Sequence, residues 1–295
     1  DALNAAGFES RVAFELEFFL FEEDFATARA QGFQNLTPVT NRPQHSVFQT
    51  RAAQAAKPFM DVLTKRLNWR DIAWEAWHAE AAPGQIELNL APAAPVAAAD
   101  ALVRARQLLY ETAQELGCSV TCMPCPLAHE SSGLHIHHSL YRQAAAPEPA
   151  FETNAGNLND TMRFWLGGLM QSLPGAVSLL CPSVNAYHRF EPFSAVPVTH
   201  TWGVENKSAA IRVVERGANT RIEHRVASSE ANPYLALGAI LAGGLAGLAG
   251  EINPPAATNN LAWGLPDAVP RLPRTLSSAF RATARDTLLR DQLGS

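Results

Sequence analysis

The chain contains 295 residues, of which 47% are hydrophobic and 17% charged, a balance typical of globular rather than disordered proteins. The formal net charge of −5 and the lack of a basic run argue against nucleic acid as the main partner. The first residues do not have the basic and apolar regions of a secretory signal. We therefore expect a cytoplasmic protein whose four cysteines are reduced.

The first predicted element is a strand at 12–18, in which acidic and apolar residues alternate. Successive side chains of a strand point to opposite faces, so Glu15 and Glu17 share one face and the apolar residues between them share the other. The same alternation recurs in three later segments, at 78–89, 134–137 and 221–225. Each of the four segments thus has one apolar face and one polar face. Together they predict one sheet with a core on its apolar side, the back, and a charged cleft on its polar side, the front.

The segments between these strands predict helices that cover the back of the sheet. Apolar residues at helical spacing mark four of them, at 58–68, 100–116, 162–173 and 233–250, and the last twenty residues predict a polar helix. Three other segments predict loops or linkers, at 22–57 (with a short helix at its end), 143–160 and 253–274. The expected fold class is α+β.

The segment 233–250 is uncharged and contains a Gly243-x-x-x-Gly247 spacing, so it is the transmembrane candidate of the sequence. Its richness in Ala and Gly gives it a low hydrophobicity per residue. Asn232 before Pro233 is a start signal for a helix. We expect a buried helix and no membrane association.

The Cys122-Met-Pro-Cys125 spacing is compatible with a redox pair or with half of a zinc site. It follows a predicted strand and has no second CxxC. We expect ordinary buried or half-buried thiols.

The predicted cleft gathers five glutamates and one histidine of the strand segments: Glu15, Glu17, Glu80, Glu87, Glu223 and His135. Two carboxylates about 4 Å apart repel by roughly 4 kcal/mol at an effective dielectric near 20, so the cluster requires cations or protonation. Oxygen-rich sets with at most one imidazole per ion suit Mg²⁺ or Mn²⁺ better than Zn²⁺. Two such ions beside several arginines are typical of a phosphoryl-transfer site.

The alternative interpretation is a solvated sheet face. A single Glu-x-Glu or His-x-His pair on a strand is usually just that, and one Arg-x-Glu-x-Arg is usually a surface ion-pair ladder of little energetic value. Recurrence of the pattern in four segments, beside bulky apolar residues, favours the metal site.

Five blocks of residues occur in a specific order and spacing: 14–21, Glu80 with 83–89, 123–124 with 132–140, 185–189, and 202–235. With them, the chain resembles the catalytic domain of glutamine synthetases and related glutamate–amine ligases over roughly residues 8–250. The resemblance implies a curved antiparallel sheet that forms a metal-lined catalytic cleft under helices, in a single catalytic domain over 1–295.

The resemblance also implies ligand sets. One divalent ion, near the substrate carboxylate, would be held by Glu17, Glu80 and Glu87. A second ion, which bridges the nucleotide phosphates, would be held by Glu15, His135 and Glu223. The implied contacts to the ATP phosphates are Arg212, Arg221 and His137. Those implied for substrate glutamate are Arg189, Arg225 and Gly133, and the implied catalytic residues are Arg212, Arg189 and Lys207.

The implied chemistry has two steps. The γ-carboxylate of glutamate attacks the γ-phosphate of ATP, and an amine then displaces phosphate from γ-glutamyl phosphate to leave a γ-glutamyl amide. The implied partners are therefore small molecules, together with Mg²⁺ or Mn²⁺. The family resemblance further implies a ring-shaped homo-oligomer with shared active sites.

The chain departs from the family pattern in several places. We find no counterpart of the small N-terminal β-grasp domain, and the C-terminal end is short, so we expect a fragment that lacks part of the amine site. Ala195 stands where ammonia-using members carry a Glu, which favours a bulkier or less polar amine than ammonia. Lys207 replaces an Arg, which keeps the charge but loses bidentate contact. Glu130-Ser131 replaces an Asn-Gly pair that touches glutamate.

Three functions remain open at this point. The first is a glutamate–amine ligase, with glutamine synthetase proper, which uses ammonia, as its nearest variant. The second is a non-catalytic structural or regulatory relative, which Ala195 and Lys207 favour and the retention of all six implied metal ligands opposes. The third is a two-metal phosphohydrolase, which leaves Asn185-Ala-Tyr-His-Arg189 unexplained.

Overall fold

The computed structural model describes residues 2–40, 50–154, 156–191, 196–266 and 268–293. The strands are β1 (Phe8–Phe21), β2 (Trp74–Ala79), β3 (Gln85–Leu90), β4 (Ser119–Thr121), β5 (Leu134–Arg142), β6 (Glu148–Pro149), β7 (Thr153–Asn154), β8 (Asn157–Leu158), β9 (Trp202–Val204), β10 (Ile211–Val214) and β11 (Arg221–His224). The helices are α1 (Ala2–Ala5), α2 (Phe25–Ala30), α3 (Thr50–Trp69), α4 (Pro95–Leu116), α5 (Asp160–Leu180), α6 (Pro233–Ala249), α7 (Leu276–Arg285) and α8 (Thr287–Leu293).

One large sheet organises the chain. Its strand order is β2-β3-β1-β5-β11-β10-β9, with β4 paired to β1 and β6 paired to β5. The pairs are antiparallel except for β9 with β10, which are parallel. The 14-residue strand β1 contacts three other strands of the sheet. The α+β prediction is confirmed, with one parallel pair that the sequence did not indicate.

The back of the sheet is the main core. Phe14, Leu16 and Phe18 of β1 are fully buried there, and the buried faces of α3 and α4 belong to the same apolar cluster. The apolar side chains of β1 therefore lie on the buried face of the sheet, as the alternation predicted. Burial of each such apolar side chain contributes on the order of 1.5–3 kcal/mol.

The glycines of α6 serve helix packing. A Cβ on Gly168 of α5 would lie 2.0 Å from the carbonyl oxygen of Gly243, and one on Gly247 would lie 2.2 Å from the carbonyl oxygen of Phe164. The Gly243-x-x-x-Gly247 spacing thus allows the two helix backbones to approach each other closely. Within the described residues, no helix combines the length and apolar character needed to cross a membrane.

Several predicted boundaries were wrong. Helix α4 begins at Pro95 rather than near Asp100, because Pro at the first helical position is favourable and the alanines after it continue the helix. Helix α5 continues past Leu173 through Pro174 to Leu180, along a largely buried face. Three short strands, β6 to β8, lie in the predicted linker 143–160.

The cysteine prediction fits the structure. All four cysteines are free, and Cys122 and Cys181 are buried. Burial raises the pKa of the Cys122 and Cys125 thiols to about 11. Thiols with such pKa values are weak nucleophiles at neutral pH, so the CxxC spacing gives no sign of redox chemistry.

Candidate active site

Strand pairing places the predicted site residues on one face of the sheet. Glu17 of β1 lies opposite Glu87 of β3, which lies opposite His78 of β2. Glu15 of β1 lies opposite His135 of β5. Directly opposed residues of antiparallel strands share a face, so these side chains line the same front of the sheet.

The other half of the front comes from β5, β11 and β10. His137 lies opposite Glu223, and Glu223 lies opposite Arg212. The two halves meet along β5, where His135 and His137 are two residues apart. The charged front that the alternating sequence predicts is therefore present.

Three groups of side chains on this front have metal-binding geometry. They are Glu15 with His135 and Glu223, Glu17 with Glu87 and His135, and His78 with Glu80 and Glu87; within each group the donor atoms lie within 4.8 Å of one another. His135 Nδ1 lies 3.0 Å from Glu15 Oε2 and 3.7 Å from Glu223 Oε1. This first group has the same members as the ligand set that the family resemblance implies for the ion at the phosphates.

The grouping around Glu80 differs from the sequence assignment. Glu80 lies with His78 and Glu87, whereas Glu17 lies with Glu87 and His135. Glu17 Oε2 also accepts hydrogen bonds from Gln85 Nε2 at 2.8 Å and from the backbone N–H of Gly133 at 2.7 Å. Because these donors fix the orientation of Glu17, its carboxylate is held toward Gly133.

The carboxylates on the front of the sheet form an environment that favours a bound cation. Burial, and then the neighbouring charges of Glu17 and Glu87, raise the pKa of Glu80 to about 7. Burial is also the main cause that raises the pKa of Glu17. Ionised carboxylates in such a cluster are unfavourable without positive charge, and a divalent cation supplies that charge.

The negative charges of two other carboxylates, Glu223 and Glu15, are stabilised by neighbouring arginine and histidine side chains. Burial would raise the pKa of Glu223, but the charge of Arg225 and then that of His135 outweigh it and lower the pKa to about 2. Hydrogen bonds from His135 and His137 likewise outweigh burial and hold the pKa of Glu15 well below its ordinary value. Both carboxylates are therefore ionised over the physiological pH range.

Arginines surround Glu223. Arg212 Nη1 donates a hydrogen bond to Glu223 Oε2 at 3.0 Å, and Arg225 is ion-paired with the other oxygen of the same carboxylate. Arg212 also forms an ion pair with Glu205, which accepts a further hydrogen bond from Arg216 at 2.7 Å. The guanidinium of Arg212 is thereby held between two carboxylates at the edge of the metal group.

A hydrogen-bonded chain fixes His137. Arg221 Nε donates to His137 Nδ1 at 3.0 Å, which leaves Nε2 to donate to Glu15 Oε1 at 2.8 Å. A cavity of about 810 Å³ opens beside this chain and is lined in part by Arg11, Glu15, Asn89, His137, Tyr141 and Arg221. Two of the three predicted phosphate contacts, His137 and Arg221, thus lie at the wall of a cavity large enough for a small molecule, whereas Arg212 is not among its lining residues.

A second cavity, of about 340 Å³, is lined by residues outside the metal groups. Its lining includes Arg189 together with Cys125, Ser131, His188 and Glu191. Arg189 is almost fully buried and donates to the carbonyl oxygen of Val226 at 3.0 Å. A Cβ on Gly133 would lie 3.2 Å from Arg189 Nη2, so a residue larger than glycine would crowd this guanidinium.

Comparison with known proteins identifies the family. The sequence model described as "Glutamine synthetase, catalytic domain" matches residues 1–295. The chain belongs to this glutamine synthetase family.

The individual relatives cover different shares of the chain. A glutamine synthetase of Mycobacterium bovis is 34% identical over 227 residues, which cover 74% of this chain and 47% of that protein. The gamma-glutamylethanolamide synthetase GlnA4 of Streptomyces coelicolor is 28% identical over 295 residues, covering 100% of this chain and 62% of that protein. The chain spans about half to two thirds of the length of these curated relatives.

Solved structures of one relative share the fold. The structure titled "Apo GmaS without ligand" has a TM-score of 0.87 and 26% identity, and the one titled "GmaS/ADP complex-Conformation 1" has a TM-score of 0.88 and 25% identity. Each covers 100% of this chain and 68% of the solved chain. The glutamine synthetase fold is therefore present along the full chain.

Of two substituted family positions singled out in the sequence, the structure describes Lys207 but not Ala195. Lys207 has an exposed side chain, although it follows Asn206, whose amide nitrogen donates to Thr258 and Asn260 carbonyl oxygens. Ala195, on which the prediction of a bulkier amine depends, lies outside the described residues. Glu191, four residues before Ala195, has a carboxylate oxygen 3.6 Å from His129 Nδ1.

Sequence reasoning missed three residues of the glutamine synthetase cleft. Gln85 anchors Glu17, Glu205 holds Arg212, and His78 faces Glu87. The signal for His78 was available, because it is two residues before Glu80 and shares its face of the strand. Glu205 gave no such signal, since its contact with Arg212 depends on how the chain returns between β9 and β10.

Proposed function

We propose that this chain is the catalytic part of an ATP-dependent ligase that joins glutamate to an amine by way of γ-glutamyl phosphate. One observation carries the proposal. Three overlapping groups of metal-ligand geometry occur on a glutamine synthetase fold together with an arginine-lined cavity and the pocket of a buried arginine.

The residues fit divalent cations in the cleft. Glu15, His135 and Glu223 would hold one Mg²⁺ or Mn²⁺, and the acids around Glu17 and Glu87 would hold another. When bound, such cations neutralise the charge on phosphate oxygens. Their oxygen-rich environment with single imidazoles is the donor set that hard divalent ions prefer.

The cavity beside Arg221 would take the nucleotide. Arg221 and His137 are fixed relative to each other by their hydrogen bond, so they present donors in a set geometry. Arg212 would turn its guanidinium from Glu205 and Glu223 toward the transferred phosphoryl group. Charge stabilisation by fixed donors is the main contribution of protein residues to phosphoryl transfer.

The pocket of Arg189 would take the amino-acid end of glutamate. A guanidinium that is buried and fixed by Val226 loses little entropy when it pairs with a carboxylate. The γ-carboxylate then attacks the γ-phosphorus and ADP leaves. The amine attacks the carbonyl carbon of γ-glutamyl phosphate, loses a proton and displaces phosphate.

One relative is named for an amine larger than ammonia. GlnA4, whose name describes gamma-glutamylethanolamide synthesis, matches the whole chain at 28% identity, although a glutamine synthetase of Halobacterium salinarum matches 98% of the chain at 29% identity. The Ala195 substitution in the sequence points the same way. We propose an alkyl or aromatic amine as the second substrate.

We also propose that the protein is a homo-oligomeric ring with shared active sites. Strand β2 carries His78 at one edge of the described sheet, so a neighbouring subunit at that edge would reach the metal groups. An edge strand offers unpaired backbone groups to such a neighbour.

The experiment is a ligase assay on the full-length protein with ATP, glutamate and Mg²⁺ or Mn²⁺. Ammonium is compared with a panel of alkyl and aromatic amines, with ADP release and the amide product both measured. We expect the largest kcat/KM with one of the larger amines. Ammonium as the best nucleophile would identify a glutamine synthetase proper, phosphate release without amide a phosphohydrolase, and no ADP release with any amine a non-catalytic relative.

A further inference from the structure

We propose that Asn185 and Arg274 are positioning residues for Arg189, because they hold the two ends of the short helix that carries it. Arg189 is the last residue of the 3₁₀ helix Asn185–Arg189 and lines the pocket proposed above for glutamate. The inference rests on that proposed function. It also accounts for the asparagine at the other end of the Asn185-Ala-Tyr-His-Arg189 segment.

The helix is too short to be stable by itself. It contains five residues, and the backbone N–H groups of Ala186 and Tyr187 reach the carbonyl oxygens of Ser183 and Val184 at 3.2 Å each. Short 3₁₀ segments have poor hydrogen-bond geometry, and a helix of one or two turns does not compensate for the entropy lost in forming it. Contacts from other parts of the chain must therefore fix its position.

Asn185 fixes the beginning of the helix. Its Oδ1 accepts a hydrogen bond from the backbone N–H of Cys125 at 2.8 Å, and its Nδ2 donates to the carbonyl oxygen of Cys125 at 3.2 Å. Cys125 and Ser131 line the same cavity as Arg189. The amide side chain of Asn185 therefore joins the two segments of chain that form the pocket.

Arg274 fixes the end of the helix. Its Nη2 donates a hydrogen bond at 3.1 Å to the carbonyl oxygen of Phe190, the residue that caps the helix. The last carbonyl groups of a helix have no partner within it, and an arginine is a favourable donor to them. Phe190 is buried, with its ring centroid 5.7 Å from that of Tyr187. Arg274 thus holds the residue that directly follows Arg189.

The backbone before Arg274 is itself anchored. The N–H of Leu272 donates to the carbonyl oxygen of Val198 at 3.2 Å, and the N–H of His200 donates to that of Pro270 at 2.8 Å. Arg274 therefore extends from a fixed stretch of chain and not from a free loop. A side chain on a fixed backbone loses less conformational entropy when it holds its partner.

Both residues would act through Arg189 and not on the substrate directly. Asn185 lies in the wall of the cavity, but its donor and its acceptor are both engaged by Cys125. Arg274 does not occur among the described residues that line the cavity. The competing interpretation is that the two side chains contribute to overall stability alone.

Glutamate binding separates these interpretations. Isothermal titration calorimetry of the full-length protein with L-glutamate, in the presence of Mg²⁺ and ADP, gives the Kd without turnover. Misplacement of a positioning group by about 1 Å can cost about 100-fold, so N185A and R274A should each raise this Kd by at least about tenfold. The Kd of ADP should stay at the wild-type value. R274K should restore glutamate binding, because an ammonium group can still donate to the Phe190 carbonyl.

Amide hydrogen exchange tests the anchoring itself and needs no ligand. Local opening of a segment appears as faster exchange of its own amides. We expect faster exchange at 186–191 in N185A and R274A and wild-type exchange elsewhere. The matched control is R281A, because Arg281 is an exposed arginine of α7 that donates to Ser277 of its own helix at 2.7 Å. R281A should leave glutamate binding and exchange unchanged.

The proposal is overturned if exchange at 186–191 is unchanged in both variants, or if both bind glutamate as tightly as wild type. Equal losses of glutamate and ADP affinity would also overturn it, because they would show a general structural role. If wild type binds no glutamate, the proposed function of the pocket fails, whereas the exchange data still decide whether the two side chains hold the helix. Far-UV circular dichroism and the Tm identify a variant that does not fold, and R274A decides the question if N185A fails.

Discussion

Strand β5 presents histidines on both faces of the sheet, and the two faces treat them in opposite ways. On the back, His138 Nε2 accepts a hydrogen bond from Trp165 at 2.8 Å, and burial lowers the pKa of His138 to about 3. On the front, burial also opposes the charge on His135, but the carboxylates of Glu15, Glu17 and Glu223 outweigh it and raise the pKa of His135. These residues are three positions apart in the same strand.

The difference shows that the surroundings, and not the residue type, decide what a histidine does here. On the back of the sheet, the apolar core keeps His138 neutral because burial disfavours its charged form. The front gathers charges that are unfavourable together and that a cation would stabilise. A cation is therefore expected to bind at the front of the sheet and not at the back.

The largest effect is expected from R212Q on the front. Arginines that stabilise the charge on a transferred phosphoryl group contribute about 10³–10⁵-fold to kcat. We expect a decrease in kcat of that order in the ligase assay. Some loss in the free energy of unfolding is also expected, because R212Q removes one of the two arginine partners of the buried Glu223, while Arg225 remains.

The matched control is R216Q. Arg216 contacts the same carboxylate of Glu205, but its side chain is 59% exposed and it is not opposite a metal-group residue. R216Q should keep kcat within about tenfold of wild type. Equal losses in the two variants would show that Glu205 and its partners matter for structure alone.

The second prediction concerns the back. Leu16 lies between Glu15 and Glu17 and is fully buried in the core. L16A should lower the free energy of unfolding by about 2–5 kcal/mol, as for other large-to-small core substitutions. Chemical denaturation measures this loss.

The front should be largely unaffected by that change. The Mn²⁺ affinity of folded L16A is expected to stay within a few-fold of wild type, since the strand pairing of Glu15 and Glu17 is retained. A large loss of Mn²⁺ affinity, with the protein still folded, would show that the two faces are coupled through β1.

The alternation of residues predicted the two faces because it depends only on strand geometry. Glu15, Glu17, His135 and Glu223 were all assigned to the front before any pairing was known. What the alternation could not supply is which acid meets which histidine. That depends on register between strands far apart in the chain, and so the grouping of Glu17 with Glu87 and His135 appeared only in the structure.

Other features depend on contacts that have no local signal. The segment 233–250 was predicted as a helix, but Gly168, which packs against its Gly243 and Gly247, lies in another helix and could not be identified from the sequence. The β9–β10 parallel pair and the position of Glu205 depend on the path of the connecting chain. Local patterns thus predicted elements and faces, and tertiary packing determined their neighbours.

The smallest effect, and a direct test of the back, is a dependence of stability on pH. Burial lowers the pKa of His138 to about 3 and that of His224 to about 4, whereas both titrate near 6.5 in the unfolded chain. Between these values the unfolded state binds more protons than the folded state. The free energy of unfolding must therefore fall as pH is lowered below about 6.5.

Each histidine should contribute about 2 kcal/mol to this loss at pH 5, because one pKa unit corresponds to about 1.36 kcal/mol. Acids of the front such as Glu80, whose pKa is raised, contribute with the opposite sign. The informative quantity is therefore the difference between variants. H224Q should reduce the change in unfolding free energy between pH 7 and pH 5 by about 2 kcal/mol relative to wild type.

H188Q is the control, since His188 is an exposed histidine of the short helix Asn185–Arg189, and it should leave that change as it is in wild type. If H224Q and wild type lose the same free energy on acidification, His224 accepts a proton within the folded back. The back of the sheet could then hold a protonated histidine, as the front does. The two faces would differ only in the carboxylates that the front contains.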